Sequence, residues 1–135
     1  MSSQIFVNLP VKDLNRSVEF FTKLGYSFNP QFTDENATSM IISEHIYVML
    51  LVEPYFKQFT DKEISDARKS TEVILALPLE NREAVDAFIA KAVTAGATTP
   101  RPAVDLGFMY THAYEDLDGH MWEVFYMDTS AMPQE

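Results

Sequence analysis

The feature that most constrains this chain is that it repeats itself. "IFVNLPV" at 5–11 is an apolar run closed by Pro10, and "DLNRSVEFFTKLG" follows it with a helical spacing of apolar residues at Leu14, Val18, Phe21 and Leu24. Asp13 is placed to cap that helix and Gly25 to end it. Then come three β-rich runs, "YSFNPQFTD", "ATSMIIS" and "IYVMLLVE", separated by polar breaks. The pattern restarts in "TEVILALPLENREAVDAFIAKAVTAGA", where Leu77-Pro78-Leu79 matches Leu9-Pro10-Val11 and a helix again ends at a glycine, Gly96. The ends of the halves also match: "SEHIYVMLLVE" lies over "DGHMWEVFYMD", with His45 on His120, Tyr47 on Trp122 and Glu53 on Asp128. An internal repeat outweighs any single propensity, so the expected fold is α+β, a tandem duplication of a βαβββ unit. Module one spans 4–53, a linker 54–70 and module two 71–128, together one domain over 1–135.

Composition narrows the function classes. At 135 residues the chain is long enough to bury a core without staples, and its 47% hydrophobic content is that of a globular protein. No cysteine is present, which removes disulfides, thiolate ligands and thiol catalysis. The N-terminus "MSSQIFVNLP" lacks the basic start and long apolar run of a signal peptide, and no apolar run has the length of a membrane span, so a cytoplasmic location and no membrane partner are expected. Twenty acidic against ten basic residues give a formal charge of -10, which argues against nucleic acid as a partner. The four glycines are scattered, so no phosphate loop supports a nucleotide cofactor, and no serine sits in a nucleophile-elbow pattern.

In the linker "PYFKQFTDKEISDARKS", Thr60 and Glu63 stand at capping-box spacing and predict a short helix from about Asp61. Phe56 and Phe59 just before it either anchor the linker to the body or cover a pocket mouth or a partner chain. The closing stretch raises a sharper question. "DGHMWEVFYMD" at 118–128 puts one carboxylate, Glu123, in an otherwise apolar strand, where an ionised group needs a cation, donors or a proton.

The turn before it, "DLDG", has Asp116 and Asp118 at turn-forming positions and Gly119 where a left-handed residue is needed, which suits a type I turn closed by a glycine bulge. That register sets Glu123 beside Ala113 on a face shared with Met109, Thr111, Met121, Phe125 and Met127. His112, Tyr114, Trp122 and Tyr126 then face the helices. A two-residue Asp118-Gly119 hairpin would instead bring Tyr114 opposite Glu123.

With its two βαβββ modules, its opening "NLPVKDLNRSVEFFTKLGY" and its closing "EDLDGHMWEVF", the chain resembles the vicinal-oxygen-chelate superfamily of glyoxalase I, bleomycin-resistance proteins, fosfomycin-resistance enzymes and extradiol dioxygenases. Within it the chain looks like a lactoylglutathione-lyase-like branch, marked by "NPQFTDEN", "YVMLL" and "KQFTDKEI". The resemblance implies curved mixed sheets around a half-barrel cavity, helices on the outer faces, and a homodimer.

It also implies a place for metal. Metal-dependent members use His, Glu or Gln, one from the first and one from the last strand of each module. The last of these positions is Glu123 here, while the first is Phe6, three residues before Leu9. The internal repeat carries Phe6 onto Ile74 and Glu123 onto Val48, leaving hydrocarbon at three of four positions. A slip of two residues at Ile74 would supply Glu72 instead, and even that pair would bind a transition metal weakly. No cofactor is therefore expected, and the residue set disfavours a divalent metal.

The expected function is a metal-free protein binding an unidentified small molecule in the cavity. The residues lining it would be Phe6, Asn8, Val48, Glu72, Ile74, Thr111, Glu123 and Phe125, with Glu123 holding the polar end of the ligand. The alternative is a glyoxalase-type lyase or isomerase in which Glu123 is the catalytic acid–base group or one ligand of a non-standard divalent site. The bland reading of Glu123 is a relic carboxylate satisfied by water or neighbouring donors. For Asn8 it is a side chain paired with backbone, for His112 a hydrogen-bonded strand residue, and for the methionines core filler.

Overall fold

The computed structural model describes residues 3–131. One compact unit ends at Ser65 and a second begins at Asp66, so the division falls inside the predicted linker. The first unit runs β1 (Ile5–Val11), α1 (Leu14–Lys23), β2 (Ser27–Asn29), β3 (Ala37–Ile41), β4 (Ile46–Val52) and α2 (Glu53–Phe56). Its sheet order is β1-β4-β3-β2, with β1 parallel to β4 and the remaining pairs antiparallel. The second unit repeats this with β5 (Ile74–Pro78), α3 (Arg82–Ala95), β6 (Val104–Asp105), β7 (Met109–Glu115) and β8 (Met121–Met127) in the order β5-β8-β7-β6. Two mixed four-stranded sheets with three helices make this an α+β fold of the duplicated βαβββ kind. Among the described residues no helix is long and apolar enough to cross a membrane.

Each helix lies on one face of its own sheet because one stripe of it is apolar. The Asp13 carboxylate accepts from the Arg16 amide at 3.2 Å to start α1, and Gly25, at φ +102°, lets the chain turn away at its end. The buried stripe is Leu14, Ser17, Phe20, Phe21 and Leu24, and α1 packs on β4. Val18, expected in that stripe, is only half-buried, since the steps 14, 17, 20–21 and 24 keep Ser17 and Phe20 nearer the sheet. In the second unit Asn81 caps α3 by accepting from the Ala84 amide at 2.7 Å. Val85, Phe88, Ile89 and Ala92 then pack toward β7 and β8, where Tyr114 and Trp122 lie with parallel rings 6.3 Å apart and Phe88 sits 5.8 Å from Tyr114. Burial of each such large side chain contributes about 1.5–3 kcal/mol before ordering costs.

The linker differs from expectation. No helix starts at Asp61; instead α2 begins directly after β4, with Pro54 in its first turn, and a 3₁₀ turn covers Lys57–Phe59. Thr60 Oγ1 accepts from the Lys62 amide at 3.1 Å, closing a local turn that competes with helix initiation. Phe59 meets Tyr55 edge-on at 5.3 Å but stays 68% exposed, and Phe56 is half-buried.

The strand registers also correct the repeat. Phe6 is level with Tyr47, and its counterpart Ile74 is level with Met121. Tyr47 therefore corresponds to Met121 rather than to Trp122, and Glu123 corresponds to Met49 rather than to Val48. Matching His45 to His120 misplaces the second half by one residue, because the position of His45 is occupied in the other module by Gly119. One residue in a strand is a change of face. Val48, 2% exposed, belongs with Val7, Leu9 and Leu50 on the helix side, so it does not join a ligand-facing surface as expected. Met49, half-buried, lies on the opposite face beside Asn8 and Ser39. Val48→Glu should thus destabilise the protein by on the order of 4 kcal/mol, the desolvation cost of a buried carboxylate. Met49→Glu should cost far less. Urea denaturation of the two variants checks this, and equal losses would contradict the register.

Candidate functional site

The candidate site is the face of the second sheet that α3 does not cover, and a turn determines which residues reach it. The Gly119 amide donates to the Asp116 carbonyl at 3.0 Å, the Asp116 amide to the His120 carbonyl at 3.0 Å, and Gly119 holds φ +87°. This is the turn with a glycine bulge expected from "DLDG". Asp116 is its key. One carboxylate oxygen accepts from the amides of Asp118 (2.9 Å) and His120 (3.0 Å), and the other from the indole Nε1 of Trp122 (3.0 Å). The side chain is 6% exposed, so these donors replace water around it. Burial pushes the Asp116 carboxyl above the usual carboxylate range, while the charge of His120 and the three donors pull the other way.

From outside, the Arg68 guanidinium donates to the Leu117 carbonyl. A Cβ on Gly119 would stand 2.9 Å from Arg68 Cγ and 3.2 Å from Arg68 N. Glycine is needed there for its conformation and for space. On the helix side, Arg82 pairs with Asp105 at 2.8 Å and lies 5.3 Å from the centre of the Tyr110 ring, whose hydroxyl donates to Asp86 at 2.6 Å. The Asp86 carboxylate holds that phenol above its ordinary pKa, and the network ties α3 to the strand that runs into the turn.

With the turn fixed, Glu115 is level with Met121, Ala113 with Glu123, Thr111 with Phe125 and Met109 with Met127. Glu123 is flanked across its other side by Ala76 of β5. The carboxylate therefore stands between two alanines, with Met121 and Phe125 before and after it on its own strand. Nothing on this face is fully buried: Glu123, Ala113, Thr111, Met109, Met121 and Phe125 are half-buried, and Ile74, Ala76 and Pro78 are exposed. Glu123, expected to be buried, is thus only partly so. It makes no hydrogen bond or ion pair with another described residue. Thr111 Oγ1 donates to the Val124 carbonyl at 3.5 Å, and Glu115 accepts from Thr98 Oγ1 at 3.4 Å.

Of the residues expected at the site, the second sheet brings together Ile74, Thr111, Glu123 and Phe125. Phe6 and Asn8 lie on the first sheet. Phe6, 51% exposed, stacks on Tyr47 at 4.9 Å, and Asn8 Nδ2 donates to the Phe6 carbonyl at 3.3 Å, the backbone pairing foreseen as its bland role. Glu72 is exposed and precedes β5. Val48 is on the wrong face. His112 points to the helix side, where its Nε2 lies 3.1 Å from the Arg101 carbonyl. Ala76 was missed, and only its place two residues after Ile74 in an alternating strand could have indicated it.

The four positions at which the superfamily resemblance implies metal ligands are, after the register correction, Phe6, Met49, Ile74 and Glu123. One carboxylate and one thioether among two hydrocarbons do not fit a divalent ion. Among the described residues no three His, Asp or Glu side chains are grouped to hold one.

Residues 4–43 match the family described as bleomycin resistance protein-like, N-terminal. Among solved structures, a hypothetical protein from S. aureus is similar at 26% identity and a TM-score of 0.80, covering 93% of this chain and 95% of its own. A glyoxalase/bleomycin resistance protein/dioxygenase family enzyme from Burkholderia phytofirmans aligns at 14% identity and a TM-score of 0.78, over 93% of this chain and 99% of that one. The fosfomycin resistance protein FosX from Listeria monocytogenes aligns at 16% identity and a TM-score of 0.66, over 93% of each chain. No curated protein sequence matches significantly. The chain thus has the fold of glyoxalase and bleomycin-resistance proteins, and over residues 4–43 it is similar to the bleomycin resistance protein-like family in sequence as well.

The Asp116 key has a pH signature. A folded pKa raised above the unfolded value of roughly 3.9 gives stability that is fully present below that value and lost as pH rises through the folded pKa. Relative to Asp116→Asn, the parent should therefore lose stability as pH rises through that window. The emission of Trp122, the single tryptophan, should titrate with the same carboxyl. Urea midpoints and fluorescence across the acid range check both, and a pH-independent difference would contradict the burial argument.

Proposed function

We propose that the protein binds a small amphipathic molecule on the second sheet's uncovered face, without a resident metal and as a two-fold homodimer. The observation that carries this reading is Glu123, a half-buried carboxylate with no partner among the described residues, set between Ala76 and Ala113 on a face of methionine, phenylalanine and isoleucine. The alanines leave space on both sides of it, the thioethers of Met109 and Met121 adapt to varied apolar shapes, and Phe125 adds a ring. A ligand that supplies a positive or donor group to Glu123 and apolar surface to its neighbours satisfies both demands at once.

The absence of fitting metal donors at Phe6, Met49 and Ile74 supports binding over metal-assisted chemistry, because one carboxylate cannot hold and activate vicinal oxygens as a chelated ion does. Pairing is supported by exposed apolar residues on the edge strand β1, where Ile5 is 55% and Phe6 51% exposed.

Native mass spectrometry of protein purified without chelators tests the reading in one experiment. A dimer mass with no stoichiometric divalent ion is expected, together with a small-molecule adduct that Glu123→Gln loses or depletes. A stoichiometric metal bound by the parent and lost in Glu123→Gln would overturn it.

A further inference from the structure

Resting on that reading, the charge pattern of the same face points to a chemical class of ligand. We propose that the occupant is an organic cation, an ammonium or amidinium group carrying an apolar or aromatic body. The uncovered face of the second sheet consists of Ile74, Ala76 and Pro78 on β5, Met121, Glu123, Phe125 and Met127 on β8, the alternate residues Met109 to Glu115 on β7, and Val104 on β6. Its ionisable side chains are Glu123 and Glu115, both acidic. Neither Lys, Arg nor His lies on it, because His112 alternates to the helix side and Arg82 is engaged there with Asp105 and the Gly107 carbonyl.

Three physical consequences favour a cation over a neutral or anionic ligand. An anion would meet Glu123 with no basic side chain on the face to offset it, and the chain's net charge of -10 adds to that repulsion at longer range. A neutral hydroxylated ligand could donate to Glu123 but would leave its charge uncompensated beside the methyl groups of Ala76, Ala113 and Met121, where water is partly displaced. A cation compensates it. Phe125 follows Glu123 by two residues on the same face, so an aromatic side chain neighbours the carboxylate along the strand.

The occupant is small because the space is local. The two residues level with Glu123 are alanines, whereas the next positions along the face bring Ile74 level with Met121 and Thr111 level with Phe125. That suits a single charged head with its apolar body lying along β8.

The test uses three probes that share a phenyl ring: benzyltrimethylammonium, benzyl alcohol and benzoate. Each is titrated into the intact protein while the methyl resonances of Ala76, Ala113, Met109 and Met121 are followed. The ammonium should shift these signals with an affinity at least about tenfold above either other probe. The preference should shrink with added salt and fall by about the same factor in Glu123→Gln. If the alcohol binds as well as the ammonium, or benzoate better, the cation assignment fails while small-molecule binding on this face stands. If the methyl signals move with protein concentration and not with any probe, the face is a contact with a second copy, and both the cation assignment and small-molecule binding on this face fail. Binding of the ammonium unchanged by Glu123→Gln overturns the assignment of the charge to that residue.

Discussion

The burial of the Asp116 carboxylate inside its own turn is the interaction on which the second module depends. Three donors converge on it, two from the backbone of the turn and one from the Trp122 indole at 3.0 Å. The amide bonds set the loop length, and the indole bond ties that loop to the first inward-facing ring of β8. A hairpin whose loop is fixed in this way has one register, and in a sheet the register decides the face of every side chain that follows. Glu123 is one residue beyond Trp122. Its place on the uncovered face follows from the carboxylate that precedes the turn, and the Arg68 contact with Leu117 holds the same turn from the linker side. The closing stretch suggested a costly buried carboxylate at Glu123, whereas the buried one is Asp116, and its function is architectural. Glu123, by contrast, is half-buried and its carboxylate has no partner among the described residues.

How much of this was legible in the sequence can be judged from particular residues. The strand Ile5–Val11, both helix-ending glycines, the glycine bulge and the pairing of Glu123 with Ala113 were all readable, because each rests on local chemistry or on a period of two. The one-residue error at Val48 was not avoidable from the repeat alone. The histidines His45 and His120 look like counterparts, yet the two turns are built differently. Module two uses Gly119 at positive φ, while His45 at the same position donates its amide to Ser43 Oγ at 3.3 Å and has no positive φ. Likeness of letters hid a difference in backbone. The linker helix failed for a related reason: Thr60 spends its hydroxyl on the Lys62 amide, two residues on, instead of capping a helix with Glu63.

The two modules have diverged on the faces away from their helices. In the first, Ala37, Ser39 and Leu51 of that face are buried, and its exposed aromatic surface is concentrated at Phe6, stacked on Tyr47. In the second, no residue of that face is fully buried and a single carboxylate stands between two alanines. Duplication supplied one frame twice, and the residue equivalent to Glu123 in the first module is Met49, which cannot contribute a charge. Of these two faces, the one that carries acidic strand side chains, Glu115 and Glu123, is therefore that of the second module.

The central claim is that the Asp116-keyed turn sets the strand register that places Glu123 between Ala76 and Ala113. Cross-strand nuclear Overhauser effects in solution test it most directly. The account predicts contacts from Glu123 to both alanines and from Trp122 to Tyr114. Contacts placing Tyr114 opposite Glu123 would mean a two-residue Asp118-Gly119 hairpin, with the carboxylate in different company, and would contradict it.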